Sequence, residues 1–231
     1  MKSTGILIKR RIQSAVLVGV CSVGLVPFFA THGQEAGLYV KGDVGGTWTQ
    51  DTDLKEFFGE PLAPGSKVRF KNGARVGFTA GYQFTDWFAI EGQTGVMATK
   101  IDSITGGAVD ATLSNVPFLV NLRLQAPGQS GFTPYIGGGL GVAAAVLDAD
   151  HINLGSTGMT GTQSDAVFAY QAFAGLRYKL NEHMGLSLEY HYFATTDPEW
   201  KADFTVGTTS DRMRFGGIET HAVSIAFEYK F

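Results

Sequence analysis

The chain closes with the stretch Ala222-Val-Ser-Ile-Ala-Phe-Glu-Tyr-Lys-Phe231, in which two kinds of residue alternate. Successive side chains of a β-strand point to opposite faces, so this spacing predicts a strand with two different faces. One face carries His221, Val223, Ile225, Phe227, Tyr229 and Phe231. The other carries Ala222, Ser224, Ala226, Glu228 and Lys230. The stretch therefore predicts a sheet that is apolar on one side and small or charged on the other.

The first 33 residues predict a secretory signal peptide. They contain four basic residues and no acidic one, and an apolar stretch follows over 15–30. A cationic start, a short apolar core and small residues before the cut are the parts of such a signal. A membrane-spanning helix is disfavoured because Pro27 interrupts the stretch and about 20 apolar residues are needed to span a bilayer. We expect cleavage after Gly33, which leaves residues 34–231 as one domain.

Removal of the signal would leave an acidic chain without cysteine. Cys21 is the only cysteine, and it follows Val20 rather than a small residue, so lipidation is not expected. Cleavage takes four of the 18 Lys and Arg and none of the 21 Asp and Glu, which gives a formal charge of −7. Because Cys21 leaves with the signal, disulfides and thiol chemistry are excluded in the remaining chain. The negative charge gives no support to nucleic-acid binding.

Eight segments after the signal have the alternation of β-strands. They span residues 37–48, 72–84, 87–99, 113–125, 132–146, 165–180, 184–196 and 218–231. Their connections alternate between short (85–86, 126–131, 181–183) and long (49–71, 100–112, 147–164, 197–217). Tight turns at one end and long loops at the other are the topology of a membrane β-barrel. The sequence therefore predicts an all-β, eight-stranded, antiparallel up-and-down transmembrane barrel.

A soluble β-barrel would alternate in the same way, with its apolar face turned inward. Three features favour an apolar face that contacts lipid: the alternating loop lengths, the terminal Phe231 and the charges repeated on the polar face. Aromatic residues also lie near the predicted strand ends, as interfacial girdles require. These are Trp48, Tyr82, Phe84, Trp87, Phe88, Tyr178, Tyr192 and Tyr229. We therefore expect Phe78, Leu122, Leu188 and Phe227 to touch acyl chains of a bacterial outer membrane.

Over essentially the whole chain after the signal, the sequence resembles the OmpA-type, opacity-protein-like family of small outer-membrane barrels. The matching stretches are GLYVKGDVGG at 37–46, GYQF at 81–84, PYIGGGLG at 134–141, FAYQAFAGLRY at 168–178 and Tyr190. The resemblance implies an integral outer-membrane barrel in contact with lipid and lipopolysaccharide. It also implies that Phe231, with Phe227 and Tyr229, is an assembly signal for periplasmic chaperones and the outer-membrane insertion machinery.

Polar residues on the inner face predict a network inside the barrel. Its members are Arg75, Glu91, Arg123, Gln171, Arg177, Glu189, His191 and Glu228. An eight-stranded barrel is just wide enough for side chains to fill, and buried opposite charges need to pair. We expect a salt-bridge plug. The alternative is a narrow porin-like channel for small solutes, in which glycines at 77, 81, 95 and 175 leave gaps for water.

An enzyme is not expected. A barrel lipid hydrolase needs a serine close to a histidine whose ring is oriented by a third group. A His-x-Ser pair on one strand face would be the signal, but His191 is followed by Tyr-Phe, and His221 and Ser224 fall on opposite faces. Acidic clusters at 51–53 and 148–151 lack the ligand number and spacing of a calcium loop. We predict no catalytic, cofactor-binding or metal-binding residue and no cofactor. A barrel lipid-modifying enzyme built from partners on different strands is the lesser alternative.

The exterior loops carry the predicted function. The first, third and fourth are longer than hairpin closure requires, and such loops are often functional. We expect a monomer with a structural or surface-interaction role through four long exterior loops and an unknown surface ligand. The loops contain the aromatic residues Phe57, Phe58, Trp200, Phe204 and Phe215. These residues are expected to pack the loops onto the barrel rim, and adhesion is their alternative role.

Overall fold

The computed structural model describes residues 36–126, 131–154, 157–201 and 210–231, so the predicted signal peptide and Cys21 lie outside the described residues. Twelve strands are present in this part of the chain. They are β1 (Gly37–Thr49), β2 (Thr52–Phe57), β3 (Lys67–Phe70), β4 (Gly73–Thr85), β5 (Phe88–Ile104), β6 (Gly107–Gln125), β7 (Phe132–Leu154), β8 (Thr157–Lys179), β9 (Met184–Thr195), β10 (Glu199–Lys201), β11 (Arg212–Phe215) and β12 (Glu219–Lys230). Among the described residues, no helix is long and apolar enough to cross a membrane.

Eight of these strands close into a ring in which every neighbour is antiparallel: β1, β4, β5, β6, β7, β8, β9 and β12. The paired residues can be followed around the ring from Trp48 through His221, Tyr192, Ala172, Gly138, Leu122, Ile90 and Tyr82 to Leu38. Leu38 lies on the starting strand, ten residues before Trp48. The sheet is therefore a closed barrel whose strands are staggered and tilted. The predicted fold class is confirmed.

The apolar face of the barrel wall is turned outward. Phe78, Leu122, Leu188 and Phe227 are 46 to 59% exposed. Polar side chains on the opposite face of the same strands, such as Arg123, are buried. This arrangement is the reverse of a soluble barrel and matches a cylinder surrounded by hydrocarbon. Polar side chains that could carry a function therefore lie inside the cylinder and at its two ends.

The sequence predicted long loops for the second and third long connections, but in the structure both are continuations of strands. β5 and β6 continue to a tight turn at Thr105-Gly106, and β7 and β8 run for 23 residues each. About 9 to 11 residues are enough for a tilted strand to cross a bilayer. Roughly half of β7 and β8 therefore extends beyond the membrane-spanning wall as an ordered hairpin.

The first and fourth long connections also form strands, and they pair with each other. β2 pairs with β11 and with β3, β3 pairs with β5, and β10 pairs with β11. These pairings fold the connections across the long-loop end of the barrel. Beneath them lies a cluster of buried apolar side chains from both the connections and the barrel strands, including Leu113, Leu147, Ile152 and Met213. The barrel interior thus has a charged half near the short turns and an apolar half near the long connections.

Candidate functional site

Arg123 on β6 is the centre of the charged half. Its guanidinium lies 2.8 Å from a carboxylate oxygen of Glu228 on β12 and 3.2 Å from one of Glu91 on β5. The other carboxylate oxygen of Glu228 accepts from Arg177 on β8 at 2.5 Å. Glu228 therefore bridges two arginines from two strands. Charge-assisted hydrogen bonds of this kind are stronger than neutral ones.

Two tyrosine rings contact the Arg123 guanidinium. Its central carbon lies 4.9 Å from the ring centroids of both Tyr39 and Tyr135. The Tyr39 hydroxyl donates to Glu91 at 2.6 Å, so the ring is fixed by the same carboxylate that pairs with Arg123. Cation–π contact is strongest where water is excluded, as it is around this buried side chain.

A second group of contacts centres on Glu189 of β9. One carboxylate oxygen accepts from Lys41 Nζ at 2.6 Å and from the Tyr135 hydroxyl. Lys41 Nζ also lies 5.7 Å from the ring centroid of Phe173. Tyr135 therefore joins the two groups, because its ring covers Arg123 while its hydroxyl binds Glu189.

The third group lies nearer the apolar half. Arg75 on β4 donates two hydrogen bonds to Asp43 on β1, at 2.6 and 3.2 Å. Beside this pair, three amide side chains bind one another: Gln171 donates to both Gln93 and Asn121, and Asn121 donates to Gln93. The amides are buried and neutral, and they lie at the boundary between the charged and apolar halves.

The lumen charges balance. Among the described strands, the paired lumen side chains are four bases, Lys41, Arg75, Arg123 and Arg177, and four acids, Asp43, Glu91, Glu189 and Glu228. Each base contacts at least one acid, so the buried charges compensate one another as a low-dielectric interior requires. A lumen with no net charge has little electrostatic preference for either sign of ion. All eight residues of the sequence-predicted network lie in this lumen.

The lumen glycines do not leave gaps for water, so this part of the narrow-channel alternative is wrong. A Cβ placed on Gly81 would lie 2.3 Å from the Tyr39 ring, and one on Gly175 would lie 2.4 Å from the Tyr135 ring. A Cβ on Gly77 would lie 2.1 Å from the Asp43 carboxylate. The space above each of these glycines is thus filled by a side chain of the neighbouring strand. At Gly95 the space is taken by the backbone of β4.

A serine, a histidine and a carboxylate meet in the lumen, which the sequence alone did not reveal. Ser224 Oγ lies 3.4 Å from His191 Nε2, and Glu189 lies 2.9 Å from the same nitrogen. A Ser–His–acid triad needs the acid on one ring nitrogen and the serine on the other. His191 Nδ1 has no partner among the described residues, and all three side chains are buried. The grouping therefore lacks both the geometry and the access of a hydrolase site.

The aromatic residues of the first and fourth connections lie in the apolar half. Phe57, Phe58, Trp200 and Phe215 are all buried, and Phe204 lies outside the described residues. The Trp200 indole donates to the Ala145 carbonyl of β7 at 2.9 Å. The interpretation of these four residues as packing groups is confirmed, and their role as exposed adhesion contacts is excluded. Lys55–Asp197 and Arg212–Glu199 ion pairs lie at the surface above them.

The short-turn end carries a small cavity and the end of the last strand. The cavity measures about 70 Å³, and Arg177, Lys179, His183 and Lys230 are among its lining residues. At the terminus, the Phe231 amide donates to the Leu38 carbonyl of β1 at 3.0 Å, and the Phe231 ring is exposed. Within the described ranges, no three His, Cys, Asp or Glu side chains are grouped as a metal site.

A closed barrel with an apolar outer wall and a charge-paired interior defines a transmembrane β-barrel protein. The sequence matches the family described as outer membrane protein beta-barrel domain over residues 14–231, and the chain belongs to this family. Its location is therefore the bacterial outer membrane. Short turns of such barrels face the periplasm, so the long-loop end faces the exterior. No curated protein matches the chain.

Solved structures with the same fold are outer-membrane barrels. OprG from Pseudomonas aeruginosa is 21% identical to this chain, with a TM-score of 0.58. The match covers 86% of this chain and 98% of the OprG chain. Neisserial surface protein A is 17% identical with a TM-score of 0.54, covering 86% of this chain and 100% of its own. AlkL, determined in lipid bilayers, is 18% identical with a TM-score of 0.53, covering 90% of this chain and 96% of its own. These likenesses establish the fold and nothing finer.

Proposed function

We propose that this protein is a non-conducting, non-enzymatic barrel of the outer membrane with a structural and surface-interaction role. The observation that carries the proposal is the filled lumen. Charge pairs close the half near the periplasm, and buried apolar side chains close the half near the exterior. Because side chains fill both halves of the lumen, no path for solutes through the barrel is expected. What remains for interaction is the outer surface of the strands that project from the membrane.

The projecting surface is polar. On the β7–β8 hairpin, Asp148, Asp150, His151, Thr160 and Thr162 are exposed. Because the apolar side chains of this hairpin point inward, the shape of the displayed surface is fixed by a buried core. A rigid surface loses less conformational entropy on binding than a flexible loop does. This supports surface interaction at the long-loop end.

Conductance measurement tests the sealed lumen. The purified barrel is reconstituted in planar bilayers beside an unrelated open porin, which shows that the assay detects a pore. We expect no conductance steps from the barrel. Regular steps, or swelling of liposomes that depends on solute size, would contradict the proposal and support the narrow porin-like channel. The reconstituted protein is checked on gels, where a folded barrel migrates differently before and after boiling.

We also propose that Phe227, Tyr229 and Phe231 form the assembly signal. Tyr229 and Phe231 are in edge contact with centroids 5.2 Å apart, and both lie at the short-turn end. Deletion of Phe231 should slow insertion in cells, whereas replacement by alanine of Phe132, another exposed ring at the same end, should not. Equal insertion of both variants would overturn the assignment. Sequencing of the mature N-terminus in the same samples tests cleavage after Gly33.

A further inference from the structure

The cavity at the short-turn end is bordered by the ends of β4, β8 and β12 and by the turn that follows β8. Its volume of about 70 Å³ is far below the roughly 300–1,000 Å³ of a pocket that encloses a whole small molecule. The cavity can therefore take a single end group of a ligand, while the rest of that ligand stays outside the barrel. It is called here the mouth cavity.

The lining of the mouth cavity carries positive charge. Its charged side chains are three bases, Arg177, Lys179 and Lys230, and two acids, Glu182 and Glu228. Glu228 is already compensated, because its two carboxylate oxygens accept from Arg123 at 2.8 Å and from Arg177 at 2.5 Å. Lys179 forms no ion pair within the part of the chain that the structure describes. The cavity therefore attracts an anion.

Two further donors of the lining lack an acceptor. Gln83 is only 5% exposed, and its side-chain amide has no hydrogen-bond partner among the described residues. Arg177 Nε is buried and likewise has no partner there. Lys230 lies beside Gln83, since its Cε would be 3.3 Å from a Cβ on Gly37, the residue paired with Gln83. Buried donors are normally satisfied, so these unpaired groups indicate a place for an acceptor.

The mixture of charges in the lining fits a carboxylate better than a phosphate. A carboxylate carries one negative charge and accepts hydrogen bonds through two oxygens, which suits a small number of donors. A phosphate dianion would be repelled more strongly by Glu182 and Glu228, which line the same cavity. The cavity opens toward the periplasm, because the short turns of such barrels face that compartment. The peptide stems of the cell wall present carboxylates there.

We propose that the mouth cavity binds a peptide carboxylate of the cell wall, with Lys179, Arg177 and Gln83 as its contacts. This inference extends the structural role proposed above, because it connects the barrel to the layer beneath the membrane. It depends on the orientation of the barrel and not on the sealed lumen. A single contact of this size is weak, but many barrels on one polymer act together.

The test uses the barrel in lipid nanodiscs, which leave both ends accessible, and a fluorescently labelled cell-wall stem peptide as the probe. Anisotropy measures binding at low salt, and the same peptide with its carboxylates amidated is the second probe. Lys179→Gln should weaken binding of the free peptide about tenfold, the usual effect of removing one charge-assisted hydrogen bond. Gln83→Leu should weaken it by a smaller factor. Lys100→Gln removes an exposed lysine at the long-loop end and should bind like the unmodified protein.

Four results would overturn the proposal. In the first, the amidated peptide binds as tightly as the free one. In the second, Lys179→Gln and Lys100→Gln bind the peptide equally, which places it elsewhere on the barrel. In the third, inorganic phosphate displaces the peptide at lower concentration than acetate does, which indicates a phosphate site. In the fourth, the peptide binds only after Glu35→Gln, which shows that a carboxylate of this chain occupies the cavity.

Migration of unboiled samples on gels checks that all variants are folded. The conductance measurement stands apart from these outcomes, because a sealed or an open lumen is compatible with either result at the mouth cavity. Failure of peptide binding would therefore leave the sealed lumen untouched, and conductance steps would leave the peptide site untouched.

Discussion

In the membrane-spanning half of the lumen the filling side chains are charged and paired, whereas beyond the bilayer they are apolar. The same strands build both halves. On β7, Leu140 and Val142 face outward into lipid, while Leu147 and Ile152 further along the strand face inward and are buried. The apolar face of one continuous strand thus changes sides where the strand leaves the membrane.

The surrounding medium explains this change. Hydrocarbon outside the wall accepts apolar side chains, so the inward positions are left to polar groups that satisfy one another. Water outside the projecting strands has the opposite effect, and apolar side chains are buried inward as in a soluble protein. The two halves should therefore respond differently to mutation. The predictions below rank those responses from the largest to the smallest.

The largest loss should follow Arg123→Met. This change leaves Glu91 and Glu228 buried without their shared partner, and breaking a buried pair costs about 3–5 kcal/mol. Urea titration in lipid vesicles, followed by gel migration, measures the free energy of unfolding. Arg212→Met is the matched control, since its pair with Glu199 is partly exposed at 3.6 Å and should be worth less than about 1 kcal/mol. Equal losses would mean that water hydrates the lumen charges.

The next loss should follow Phe57→Ala in the apolar half. Phe57 is completely buried against Phe58, with centroids 4.9 Å apart, and truncation of such a ring costs about 3 kcal/mol. We expect protease added outside vesicles to cut the projecting strands, while the membrane-spanning barrel still resists unfolding before boiling. Phe132→Ala, an exposed ring at the other end, should leave proteolysis unchanged. Loss of the whole barrel in one step would show that the halves form one cooperative unit.

The sequence predicted the barrel because period-two alternation survives in every membrane-spanning strand. It also placed Arg123, Glu189 and Glu228 on the inner face. It could not predict which charges pair, since Lys41 and Glu189 are 148 residues apart and lie on strands that are not neighbours in the sheet. Such contacts across the lumen depend on the stagger of the closed barrel, which is a property of the whole ring and not of any segment.

The projecting strands were missed for a different reason. The stretch 147–150, Leu-Asp-Ala-Asp, alternates as a strand does, but its apolar positions have the opposite phase to those of the membrane wall. Every residue from Val142 to Leu147 is apolar. Over this run the strand passes from the membrane wall, where its outer face contacts lipid, to the projecting hairpin, where its inner face is buried. A phase change after an apolar run is therefore the signal that predicts a strand leaving the membrane.

A smaller effect should separate glycines of the two faces. Gly175→Ala places a methyl group 2.4 Å from the Tyr135 ring, and forcing that ring aside should cost about 1–3 kcal/mol. Gly42 faces outward with nothing within 4 Å, so Gly42→Ala should be neutral or slightly stabilising. Chemical denaturation of both variants makes the comparison. If Gly175→Ala is also neutral, the lumen holds unfilled space.

The smallest effect should follow Asp197→Asn, which removes the Lys55–Asp197 pair between the first and fourth connections. Both side chains are 38% exposed, and surface pairs contribute about 0–1 kcal/mol. The loss should shrink further in high salt, because exposed charges are screened. The same proteolysis assay measures it, with Lys55→Gln as the reciprocal change. Cleavage as fast as in Phe57→Ala would mean that ion pairing, and not the buried rings, holds the two connections together. In that case the buried apolar side chains would not be what closes the outer end of the lumen.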